Sequence, residues 1–154
     1  MPSFQDFYFQ SSTGRTSIHA LKCVPDSKPR AVVQIAHGIA EHIDRYRPFM
    51  EFLADNGFVV AGNDHLGHGK SIRVPEEQGF FAEKDGWWRV VDDMDKLHDI
   101  MSNEYPELPY VLFGHSMGSF LTRTYLIKHP DKYDGVILSG TGHQSPALVL
   151  SGNA

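Results

Sequence analysis

Apolar and polar residues alternate through the first two dozen positions. In "FQDFYFQ" the alternation runs through Phe4, Phe7 or Tyr8, and Phe9; in "SIHALKCV" it runs through Ile18, Ala20 or Leu21, and Cys23. A period of two over such runs predicts two strands. "SSTGRT" between them reads as a hairpin turn, with Gly14 free to take a positive φ. After the loop "PDSKPR" the pattern changes: "AVVQIAHG" is almost wholly apolar, the mark of a parallel strand covered on both faces. A helix is expected from about Pro48, a good first-turn residue, with Phe49, Phe52 and Leu53 on one side and Gly57 as its stop. "FVVAGND" is the next strand, and a long loop opens with "DHLGHGKS" and runs to Asp85.

The clearest helix spans about Gly86 to Asn103. Trp87, Val90, Val91, Met94, Leu97, His98 and Met101 recur at helical spacing and form one apolar stripe, which belongs to the core. The charges of "DDMDK", Asp92 to Lys96, read as the solvated face of that helix. "YVLFG" is a further buried strand. Met117 to Lys128 is a helix with Phe120, Leu121 and Thr124 inward, ended by His129-Pro130. "DGVILSG" is the last strand, and "TGHQSPALVLSGNA" follows it. Strands separated by helices predict an α/β fold: a mostly parallel sheet with helices on both faces.

Composition narrows the function classes. The 154 residues are 41% hydrophobic and 12% aromatic, enough for one domain with a real core. A net charge of −5 without a Lys/Arg stripe argues against nucleic acid as a partner. The single cysteine, Cys23, excludes an internal disulfide and suits a reducing compartment; its apolar run makes it a buried structural thiol. The start "MPSFQDFYFQSSTGR" lacks the basic and apolar segments of a secretory leader, and no stretch approaches the ~18 apolar residues of a membrane span. A cytoplasmic protein is expected, with peripheral lipid contact left open.

The chemistry gathers at "YVLFGHSMGSF". A buried strand stops at Gly114-His115-Ser116-Met117-Gly118 and becomes a helix at once. In that context Gly-x-Ser-x-Gly holds a serine at the tip of a strained turn, with flanking glycines because a Cβ there would strike the neighbouring strand and helix. The serine then stands at the carboxyl edge of the sheet, and the N–H of Met117 points where an oxyanion would form. A second donor should come from the loop after an earlier parallel strand. His37-Gly38 ends such a strand, and Gly38 lets the N–H of Ile39 face the serine. The plainer alternative is an ordinary glycine turn, with His37 a hydrogen-bonded core histidine.

"HGIAEHIDRY", "NDHLGHGKS" and "LFGHSMGSFLTRTY" together resemble the monoacylglycerol lipase and lysophospholipase branch of the α/β-hydrolases, the serine aminopeptidase-like group. The resemblance runs from Phe4 to Gly142. It implies that Ser116 is the nucleophile and that the N–H groups of Ile39 and Met117 form the oxyanion hole. Glu41 and Arg45 match the polar pair that shapes the alcohol-side pocket, with His37 and Gly38 counted on the same substrate side. Ala40 departs from the glycine many relatives carry. "DHLGHG" is similar to the lipase form of its loop, whereas peptidase relatives more often carry an Arg before that Gly. No cofactor is implied. His37, Glu41, His42, Asp64, His65 and His68 could be read as a metal site, but they lack ligand spacing; Asp64 and His68 are expected to brace their loop instead.

A serine of this kind needs a histidine base oriented by a carboxylate, in the order Ser, acid, His. His129 lies at the far end of a helix, near 20 Å away at ~1.5 Å per residue. His143 follows the last strand with no acid after it, Asp131 and Asp134 sit at that strand's opposite end, and His115 faces the packing. The resemblance implies that the acid and base lie past residue 154, after a lid. Residues 1–154 are therefore expected to be the N-terminal portion of one hydrolase domain, truncated after about the sixth strand. The unpaired edge of that strand calls for a C-terminal fragment or second chain to complete the sheet. The expected function is a serine hydrolase of monoacylglycerol- or lysophospholipid-type esters. The alternatives are a non-catalytic binding module that keeps the pocket, and a serine peptidase of the same superfamily.

Overall fold

The computed structural model describes residues 1–151. β1 (Ser3–Gln10) and β2 (Ser17–Val24) form the expected antiparallel hairpin, and Gly14 in its turn has φ 74°. β3 (Ala31–Ala36), α1 (Arg47–Asp55), β4 (Phe58–Asn63), α2 (Gly86–Glu104), β5 (Tyr110–His115), α3 (Met117–Lys128), β6 (Gly135–Ser139) and a short α4 (Pro146–Ser151) follow. The six strands lie in the order β1-β2-β4-β3-β5-β6; β3 to β6 are mutually parallel, β2 is antiparallel to β4, and β1 is antiparallel to β2.

Successive residues of β3 serve opposite faces, as a pleated strand requires. Val32 and Ala36 join Val90, Met94, Leu97, Leu121 and Tyr125 under α2 and α3, while Val33 and Ile35 join Leu21, Met50, Ala54 and Val60 under α1. Gln34 is the one polar residue of this buried run. Its amide Nε2 donates to Met94 O at 2.9 Å and its Oε1 accepts from Tyr110 Oη, so the central strand is tied to α2 and β5 without an unpaired group.

Four details of the sequence pattern resolve differently. A turn of 3-10 helix (Ile43–Tyr46) precedes α1 and sets its rotation: Met50 and Ala54 are fully buried, Phe49 and Leu53 half-buried, and Phe52 turns out to solvent. In α3 the inward residues are Gly118, Ser119, Leu121, Thr122 and Tyr125; Phe120 is exposed and Thr124 half-buried. Asp93 is no member of a solvated face. It is buried at the hairpin turn, where its carboxylate accepts from Ser11 Oγ at 2.8 Å and Ser12 N–H at 2.6 Å. The tail after β6 carries α4, whose Leu148, Val149 and Leu150 are exposed, and the long loop holds two single turns of 3-10 helix. Cys23 is buried as expected, and burial pushes its thiol up to about 11, away from thiolate chemistry. Among the described residues no helix is long and apolar enough to cross a membrane.

Candidate active site

Ser116 sits between β5 and α3 with φ 55° and ψ −122°, outside the regions an L-residue ordinarily adopts. The flanking glycines explain how the turn closes. A Cβ on Gly114 would lie 2.4 Å from Gly118 O, and one on Gly118 would lie 2.0 Å from Ala36 O and 2.6 Å from His37 O. α3 is thus pressed onto the end of β3 by the absence of side chains. Ser116 N–H donates to Ser139 O at 2.9 Å, and Ser119 Oγ donates back to Ser116 O, so the strained residue is held from both sides. Its hydroxyl makes no hydrogen bond among the described residues.

The turn after β3 lies directly against this elbow: a Cβ on Gly38 would be 3.0 Å from Ser116 Cβ. Met117 opens α3, so its N–H is among the four with no partner inside the helix. The Ile39 N–H is likewise without an acceptor among the described residues, and Ile39 itself is 67% exposed. Glu41 closes the turn, accepting from Gly38 N–H at 2.6 Å and from Tyr46 Oη at 2.9 Å; Arg45 stands 3.8 Å from its other oxygen and is otherwise in solvent. Ile39, Glu41, His42, His68, Gly69 and Ile72 border a cleft of about 200 Å3 between the turn after β3 and the loop after β4. A larger cleft of about 290 Å3 lies between the hairpin turn and the 66–89 loop, and neither cleft takes a lining residue from β5 or α3.

His37 does not belong on the substrate side where sequence reasoning put it. It is fully buried behind the turn, and burial holds it down to about 4, with His68 adding to the effect and the Gly38 carbonyl opposing it. His65 is buried against it and held well below the usual histidine range, first by burial and then by His37. Asp64 braces its loop as expected: its oxygens accept from Ile43 N–H at 2.8 Å, Lys70 N–H at 2.9 Å and the His19 ring at 2.8 Å.

Two supporting side chains escaped the sequence. Tyr46, which orients Glu41, was visible only as the last letter of "EHIDRY". His19, set between Asp64 and Asp6, looked like an ordinary member of an alternating strand. The histidine-rich set His37, Glu41, His42, Asp64, His65 and His68 does not converge as metal ligands. Among the described residues the group that does is Asp95, His98 and Asp99 on α2, and Lys132 Nζ already bonds both carboxylates.

His129 packs on Tyr125 at the far end of α3, and His115 Nδ1 lies 3.1 Å from Ser139 Oγ, so neither ring is engaged with Ser116. His143 is exposed beyond β6. Asp134 accepts from Tyr110 N–H at 2.8 Å, at the opposite end of the sheet from the elbow.

Residues 27–152 match the hydrolase family described as serine aminopeptidase, S33. The chain belongs to this family. A monoacylglycerol lipase from Mycolicibacterium smegmatis is 36% identical over 130 residues, 81% of this chain and 44% of that protein. The human monoglyceride lipase is 31% identical over 114 residues, 74% of this chain and 36% of that protein. A thermostable carboxyl esterase from Bacillus coagulans, solved with glycerol, superposes with a TM-score of 0.87 at 36% identity, covering 97% of this chain and 51% of that one. The fold is accordingly that of the α/β-hydrolases, and the chain spans less than half the length of the two curated relatives.

Proposed function

We propose that this chain carries the nucleophile and oxyanion hole of a serine hydrolase of monoacylglycerol- or lysophospholipid-type esters. The observation that carries the reading is the elbow: Ser116 at φ 55°, with Gly38 packed against it and the Ile39 and Met117 N–H groups free beside it. The lipase and esterase relatives support an ester over a peptide substrate.

Ser116 Oγ attacks the ester carbonyl carbon and loses its proton to a histidine. The carbonyl oxygen, now an anion, accepts from Ile39 and Met117 N–H, donors that need no reorganisation as charge develops. Collapse expels the alcohol, protonated by the same histidine, and leaves an acyl ester on Ser116; water then repeats the two steps and frees the acid. The histidine and its carboxylate are supplied by sequence past residue 154, in one domain of which residues 1–154 are the N-terminal portion. Glu41, which Tyr46 holds and which borders the cleft, and Arg45 beside it are assigned to the side of the departing alcohol.

The test is p-nitrophenyl ester turnover by residues 1–154 and by a protein extended past Ala154, each beside its Ser116→Ala variant. The extended protein is expected to turn over through Ser116, and the short chain to be slower by up to about 10⁶-fold, the loss that follows removal of the base in a comparable triad. Equal turnover by extended wild type and Ser116→Ala would dismiss Ser116 as nucleophile. Substantial Ser116-dependent turnover by the short chain would make one of its own histidines, His143 first, the base.

A further inference from the structure

We propose that His37 and His65 are positioning residues: together they fix the peptide between Gly38 and Ile39 so that the Ile39 N–H faces Ser116. The inference rests on the reading of Ser116 and Ile39 given above and adds two residues that touch neither substrate nor oxyanion.

The Gly38 carbonyl and the Ile39 N–H belong to one peptide unit, planar and trans, so they point in opposite directions and turn together. Whatever holds the Gly38 oxygen therefore aims the Ile39 N–H. That oxygen lies 2.7 Å from His37 Nδ1. A carbonyl only accepts, so Nδ1 carries the proton and donates. His37 Nε2 is then bare, and it accepts the backbone N–H of His65 at 3.1 Å. The other tautomer would set a lone pair against the Gly38 oxygen and an N–H against an N–H. His65 thus selects the His37 tautomer that can hold the peptide.

The grip is reciprocal. His65 Nε2 lies 2.9 Å from His37 O and donates to it, which fixes the second ring in the opposite tautomer. The two rings pack at a centroid distance of 4.0 Å, both buried. His37 O is also one of the atoms against which Gly118 is packed, so the same carbonyl joins the turn, the β4 loop and the elbow helix. His65 Nδ1 is left buried without a partner among the described residues, as expected of a ring whose only proton is committed to His37. The titratable groups facing the pair are His68 and Asp64 from the β4 loop and Glu41 from the turn itself.

Ile39 is exposed and its side chain anchors little, which is why the peptide needs holding from behind. A peptide free to flip would present the Gly38 oxygen, not the Ile39 N–H, to a developing anion, and one donor of the pair would become a repulsive acceptor.

The test uses the protein extended past Ala154. Long-range ¹⁵N–¹H spectra of the imidazoles read the tautomers directly, and the expected result at neutral pH is His37 protonated at Nδ1 and His65 at Nε2. His37→Phe, which fills the space without a donor, is expected to lower kcat on a p-nitrophenyl ester about 10²–10³-fold, the loss that follows removal of one oxyanion donor, with KM changed less than about threefold. The Ile39 amide resonance should shift with it. His65→Phe should lose less, since its backbone N–H remains, and His65→Gln, whose amide can still donate to His37 O, should recover most of that loss. Opposite tautomers in the native protein would overturn the proposal even if every variant failed to fold. So would an unchanged kcat in folded His37→Phe, or a kcat loss in folded His65→Phe that His65→Gln does not relieve. If extended wild type and Ser116→Ala turn over equally, the nucleophile reading fails by itself, while the tautomers and the Ile39 resonance still decide whether the relay holds the peptide.

Discussion

Ala40 holds a backbone conformation that alanine tolerates poorly. Its φ is 57°, in the left-handed region, at the second residue after Gly38. The Cβ penalty there is about 1–2 kcal/mol, partly offset because glycine loses more freedom on folding. Ala40→Gly is therefore expected to stabilise the protein by about 0.5–1 kcal/mol, a rise of roughly 1–4 °C in Tm at this size. A fall in Tm on calorimetry would mean that the Ala40 methyl makes contacts worth more than the strain. Ser116 at φ 55° carries the same kind of strain, but a glycine there would remove the hydroxyl that the turn displays. The Gly114 and Gly118 bracket was readable because both positions exclude a Cβ for steric reasons that leave a mark in the sequence. His37 was not readable in the same way. A histidine at a strand end can face either side, and only its bonds to Gly38 O and to His65 N–H place it behind the turn.

At the scale of elements, α2 was legible because its stripe of Val90, Val91, Met94, Leu97 and Met101 keeps helical spacing along a helix of 19 residues. α3 was misread for a physical reason. Close approach to β3 needs small residues inward, so Gly118, Ser119 and Thr122 take the face that hydrophobicity alone would give to Phe120. The hydroxyls this buries are satisfied locally, Ser119 Oγ on Ser116 O and Thr122 Oγ1 on Gly118 O. Asp93 was misread because its partners lie 81 and 82 residues away, beyond any local pattern. It ties α2 to the β1–β2 turn, and burial raises its carboxyl against the pull of the Ser12 and Ser11 donors. Asp93→Ala would leave the Ser12 N–H and Ser11 hydroxyl without their acceptor, and is expected to cost about 2–3 kcal/mol. Urea unfolding should place its midpoint well below that of wild type, with hydrogen exchange faster first in the hairpin. A midpoint within error of wild type would show that water replaces the carboxylate without loss.

For the whole molecule, the buried histidines set the acid limit of stability before the carboxylates do. Asp44 and Asp99 are partly desolvated, but Arg47 and Lys70 outweigh that for the first, and His98 and Lys132 for the second, holding both carboxyls below their ordinary range. A depressed carboxyl contributes stability that is present above about pH 4 and is lost only as pH falls further. His37 works in a different window. Its folded value of about 4 lies under the 6.5 of an unperturbed histidine, because burial disfavours the charged ring. Above about pH 6.5 the ring is neutral folded or unfolded, and contributes no pH dependence. Between about 6.5 and 4 the unfolded chain takes up a proton that the folded protein refuses, so stability falls as pH falls. For His37 alone the loss is about 2 kcal/mol at pH 5, and His65 shifts in the same direction. Asp93, raised by burial, opposes this, but its carboxyl gains stability on acidification only near the carboxylate range. The urea midpoint of residues 1–154 or longer is therefore expected to drop between pH 7 and pH 5 at constant ionic strength. His37→Gln, which removes the titrating ring, should flatten the share of that slope that His37 contributes. A midpoint unchanged from pH 7 to pH 5 would mean that the rings behind the Gly38–Ile39 turn take up protons in the folded state, and that the turn is held by something other than two neutral histidines.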